Sequence, residues 1–150
     1  MVAFDQQFRA TRIIAIAMIL SLLIYAGLVE LIKRQSAPFR GFVQVPWWEM
    51  LRWIFLALAL ADAGLIRVLR GALLAPRSGG PGPGERLQTA SIVTFALCES
   101  VGVFGLVLFL VSGSSADFYL FLAFALGLFA FHFPRRDRWE EWAGQTPPRA

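Results

Sequence analysis

Four long apolar runs, separated by short polar breaks, make up most of this chain. The first, about residues 12–32, reads RIIAIAMILSLLIYAGLVELI and stops at Lys33 and Arg34. The others cover about 48–69, 88–112 and 116–133, and Pro134 closes the last because it has no amide hydrogen to continue a helix. Each run is long enough to cross a bilayer as a helix. The connector SGSSAD between the third and fourth runs is a tight turn, which makes those two antiparallel neighbours. The pattern predicts four transmembrane helices in two antiparallel hairpins.

Composition supports the same fold class. Of 150 residues, 57% are hydrophobic and 16% charged, and a chain this short leaves a large share of its surface exposed when it folds. Lipid must therefore serve as solvent. The expectation is an all-α integral membrane protein with a single four-helix domain over residues 1–150. The first run is too long for the core of a secretion signal, and Lys33 and Arg34 occupy the place of a small-residue cleavage site, so it is read as retained.

Charge sets the expected orientation. With the N-terminus inside, ten lysines and arginines fall on the cytoplasmic side and four outside, which places both termini in the cytoplasm of a multi-pass inner-membrane protein. Trp47, Trp48 and Trp53 mark the outer boundary, and His132, Trp139 and Trp142 the inner one. The net charge of +4 belongs at lipid headgroups, since no basic run with interleaved aromatics forms a nucleic-acid groove. The stretch PRSGGPGPGER, Pro76 to Arg86, is a flexible connector. It lacks the Gly-Lys-Ser/Thr ending of a phosphate loop. The tail 134–150 is expected to be cytoplasmic and helical from Arg135 to about Trp142, anchored at the interface.

Glu99 is the residue that composition does not explain. It sits in ALCESVGVFGLV, with no basic residue within ten positions, close to the predicted bilayer midplane. An ionisable group there costs about 2.5–3.5 kcal/mol on insertion scales, so the carboxyl is expected to hold its proton much of the time. Ser100 is adjacent, while Ser91 and Thr94 share the helix. None of the three stands three or four positions from Glu99, the spacing at which helical side chains meet. A partner from another span is expected, and Ser21 lies near the same depth in the first. The candidate proton- or ion-binding set is Glu99, Ser21, Thr94 and Ser100. A hydrogen-bonded carboxyl there can either exchange a proton or hold helices together.

Asp62 is the second candidate. Arg67 follows five residues later, about 7 Å along a helix axis, and an interfacial ion pair between them is expected. Glu30 with Lys33 and Arg34, and Glu49 with Arg52, have surface-pair spacing. Cys98 allows no internal disulfide, and His132 has no second ligand at metal-binding spacing. No metal or other cofactor is expected. Small residues predict close helix packing at Ala57, Ala61, Gly64, Gly102, Gly105, Ala123 and Gly127, either within the chain or between copies. FLALALA at Phe55–Ala61 and FLAFALG at Phe121–Gly127 are similar enough to raise an internal duplication.

Residues 48–112 resemble the hairpin of the proteolipid c subunit of rotary ATP synthases. In that family an inner helix with alternating small residues leads through a polar loop to an outer helix carrying a midmembrane carboxylate. ALALADAG stands at the position of the first and ALCESVGVFGLV at that of the second, although alanines replace the glycine ladder and the short Arg-Gln-Pro turn is missing. The resemblance implies that Glu99 is the ion-binding carboxylate. The expected function is a small membrane subunit that handles protons or ions, assembled as a homo-oligomer or within a larger membrane complex in the lipid bilayer. The alternative is a noncatalytic scaffold or assembly subunit. No nucleophile–base set or other catalytic constellation points to an enzyme.

Overall fold

A computed structural model describes residues 2–43, 47–75 and 82–136. Four helices follow one another: α1 Val2–Gln35, α2 Trp48–Leu74, α3 Pro83–Ser112 and α4 Ser115–His132. No strand occurs among the described residues. Helices α1, α3 and α4 are long and apolar enough to cross a membrane. At 27 residues α2 is longer than α4, but Asp62 near its middle, with Arg52 and Arg67 on either side, keeps it out of that set.

Local chemistry sets the helix ends. Pro83 occupies the first turn of α3, where its missing N–H is not needed, and the Glu85 carboxylate accepts the Gly82 N–H at 3.3 Å. Gly113 ends α3 at φ 75°, and its N–H donates to the Phe109 carbonyl at 2.8 Å. Ser114 then caps α4 by accepting the Asp117 N–H at 3.4 Å. Arg86 on α3 donates to the carbonyls of Leu74 and Ala75, satisfying the C-terminal end of α2 across the connector.

Helix α3 is the axis of the bundle, and the other three pack against it. Phe55 stacks on Phe104 and Phe95 on Phe129, which sets α2 and α4 antiparallel to α3. Helix α1 runs parallel to α3, with Gln7 beside Gly84 and Leu22 beside Gly102. Its buried residues Thr11, Ala15, Leu22 and Val29 recur at heptad-like intervals, as expected for one face of a helix. Helix α2 forms no extended interface with α1 or α4. Two open seams result, one between α2 and α4 and one between α1 and α2.

The end of the bundle that holds the α3–α4 turn is tied firmly. Gly41 at φ 87° and Gly113 at φ 75° lie against each other's loops, and the Phe42 N–H donates to the Leu110 carbonyl at 2.7 Å. Arg52 of α2 pairs with Asp117 of α4 at 3.0 Å, rather than with the Glu49 expected from spacing. Glu30 accepts bonds from Lys33 at 2.9 Å and from Tyr119 at 2.6 Å. At the opposite end Arg136 meets Asp5 at 3.3 Å.

The expected packing residues divide into two groups. A side chain on Gly102 would strike Leu22, and one on Gly105 would come within 2.7 Å of the Phe121 Cβ, so both glycines permit close approach. Ala57, Ala61, Gly64, Ala123 and Gly127 are exposed on the outer faces instead, and Gly64 and Gly127 have open space around them. Hydropathy cannot separate these groups, because a stripe of small residues on an outer face reads the same as a buried one.

Candidate functional site

Two carboxyl groups meet α3 near the middle of the bundle, one from its own sequence and one from α2. Glu99 turns toward α1. Its Oε1 lies 2.5 Å from Ser21 Oγ and 3.3 Å from Tyr25 Oη. Four positions separate Ser21 from Tyr25, so both project from one face of α1. Ser100 is one step round the α3 wheel and turns toward α2, where its Oγ lies 2.7 Å from Asp62 Oδ2. Adjacent residues on α3 thus link all three helices through hydrogen bonds.

Each serine has a second acceptor. Ser21 Oγ lies 2.7 Å from the Met18 carbonyl, and Ser100 Oγ 2.8 Å from the Leu97 carbonyl. A hydroxyl carries one hydrogen and can accept another bond. Facing a carboxylate, the serine donates to it. Facing a protonated carboxyl, it accepts that hydrogen and donates its own to the carbonyl behind it. Both arrangements keep the serine–carboxyl bond and give the hydroxyl hydrogen an acceptor.

The site borders the α1–α2 seam. Glu99, Ser100, Ser21, Tyr25 and Asp62 are all partly buried, whereas Ala96 and Val103, which fall between Glu99 and Ser100 on the α3 wheel, are exposed. On α2, Leu56 and Leu60 line the groove facing α4, which leaves Asp62 on the flank toward α1. The seam therefore has an α3 floor that carries Glu99 and an α2 wall that carries Asp62.

The structure redistributes the residues expected at this site. It brings Ser21 to Glu99 across 78 positions of sequence. Thr94 is buried and donates to the Ala90 carbonyl at 2.7 Å, so it serves its own helix. Ser100 faces Asp62 instead of Glu99. Asp62 takes Ser100 as its partner in place of the expected Arg67, whose side chain is exposed. Tyr25 was not among the expected site residues, and only its four-residue spacing from Ser21 marked it. His132 places Nδ1 2.9 Å from the Leu128 carbonyl, and no metal-binding group of His, Cys, Asp and Glu occurs among the described residues. Trp139, Trp142 and the expected tail helix beyond residue 136 lie outside the described residues, as does most of the 76–86 connector.

Comparison with known proteins returns no matching family model, no curated protein and no solved structure.

Proposed function

We propose that this chain is a small integral membrane protein that takes up and releases protons or ions through Glu99, with Asp62 as a companion site. In this reading all four helices cross the bilayer, α2 included, because the Ser100 bond accommodates Asp62 at depth. The excess of arginine in the segments before α1, between α2 and α3, and after α4 supports an inner-membrane protein with both termini cytoplasmic. One observation carries the reading. Glu99 is held by Ser21 and Tyr25 in an arrangement that suits either protonation state, at the edge of a seam, where exchange is possible. The resemblance of residues 48–112 to a proteolipid hairpin adds weight, and the exposed small residues of α2 and α4 suit assembly with further copies or subunits.

A hydrophobic carbodiimide tests it. Added to membranes containing the protein, it should label Glu99, and sodium or high pH should slow the labelling. A Glu99 that stays unmodified while the protein is folded would overturn the proposal.

A scaffold role is favoured by a different aspect of the same geometry: the two carboxyl–serine bonds fasten α1 and α2 to α3. Under that reading Glu99→Gln preserves folding, assembly and activity of the parent complex, because the amide still hydrogen-bonds. Under the first reading the variant folds but loses proton or ion uptake in reconstituted vesicles.

A further inference from the structure

The end of the bundle opposite the α3–α4 turn contains a cavity of about 200 Å³, unconnected with the carboxyl cluster. It is lined by Arg70 of α2, Ser91 of α3, and residues 131–135 at the end of α4. Three helices contribute, and no carboxylate appears among the lining residues described. The charges of Arg70 and Arg67, one turn apart on α2, both act on the His132 ring, and Arg135 lines the cavity from the end of α4. His132 Nδ1 is engaged by the Leu128 carbonyl, leaving Nε2 as the ring's other polar atom. Ser91 is buried beneath the cavity, while the neighbouring Phe131 is 68% exposed on the outer face.

We infer that this cavity holds the phosphate group of an anionic phospholipid. Arg70 and Arg135 supply forked N–H donors that match phosphate oxygens, and Ser91 adds a hydroxyl at the floor. A free phosphate would satisfy the same donors. The exposed Phe131 and the adjoining Phe133 favour the lipid, since they offer apolar surface to the glycerol and acyl portions beside the charged pocket. Basic pockets between membrane helices at a headgroup boundary have the chemistry of anionic lipid sites.

The full chain in a neutral detergent provides the test, with thermal unfolding followed as phosphatidylglycerol, phosphatidylcholine or inorganic phosphate is added. Phosphatidylglycerol should raise the midpoint, and the other two should not, because a ligand bound only to the folded state stabilises it. Arg135→Gln, at an exposed position beyond α4, should cut that rise roughly in half or more, whereas Arg12→Gln, an exposed arginine on α1, should retain it. Phe131→Ala, also exposed, should reduce the phosphatidylglycerol retained in native mass spectra. Equal rises with both lipids, no rise with phosphatidylglycerol, or a full rise in Arg135→Gln would each overturn the inference. A rise with inorganic phosphate that Arg135→Gln abolishes would overturn the lipid assignment in favour of a free anion.

Discussion

Glu99 and Asp62 each take a serine hydroxyl from a neighbouring helix as a hydrogen-bond partner. A buried polar group without a partner costs about 1–3 kcal/mol, and each serine removes that penalty in either protonation state. Ser21→Ala should therefore lower stability by about 1 kcal/mol, and Tyr25→Phe by less, because the tyrosine bond is longer at 3.3 Å. Thermal or denaturant unfolding in detergent measures both. The opposite ranking would make Tyr25 the main support of Glu99. At this scale the sequence was half legible. The absence of a hydroxyl three or four positions from Glu99 pointed to another helix, and Ser21 was the depth-matched choice. Asp62 misled, because its nearest opposite charge in sequence was Arg67, whereas its hydrogen-bond partner lies 38 positions away.

At the scale of the helix, identical residue types do opposite things. Gly102 and Gly105 let α1 and α4 approach α3, and an added methyl would meet Leu22 or Phe121. Gly105→Ala should cost about 1–3 kcal/mol through overpacking against the Phe121 Cβ and the Phe118 backbone, and Gly102→Ala less, because it meets only the tip of the Leu22 side chain. Gly64→Ala and Gly127→Ala enter open space and should be neutral, or stabilising by up to about 1 kcal/mol through helix propensity. An unfolding series in detergent separates the two pairs. A loss at Gly64 or Gly127 would instead reveal a contact between copies. Helix number and approximate helix positions were readable from run lengths, and three of the four helices are apolar enough to cross a membrane. The inward face was not, because apolar residues lie all round α3 and α4 instead of along one stripe. Helix α3 also begins at Pro83, ahead of the apolar run at 88, since capping by Pro83 and Glu85 extends it into polar sequence.

Across the whole molecule, the interlocked loops and the Arg52–Asp117 pair gather at the end with the α3–α4 turn. Asp117 is only 5% exposed while its partner Arg52 is 43% exposed, so the pair is buried on one side only. Removing the cation strands the acid: Arg52→Ala should cost about 1–3 kcal/mol, with partial screening by solvent keeping it below a fully buried pair. A double-mutant cycle with Asp117→Ala checks this, and additive losses would show that the contact contributes nothing. None of this fastening was legible beforehand. It depends on Gly41 and Gly113 both adopting positive φ so that two loops far apart in sequence interlock. Spacing arguments see only neighbours along one helix, and for Arg52 they point to Glu49 instead of Asp117.

The slot between α1 and α2 gives this molecule a direction of approach. A carboxyl at the end of a vertical channel would be reached from the aqueous phases, but these two face sideways. Under the proton- or ion-handling reading, whatever loads or empties them arrives laterally within the plane of the bilayer.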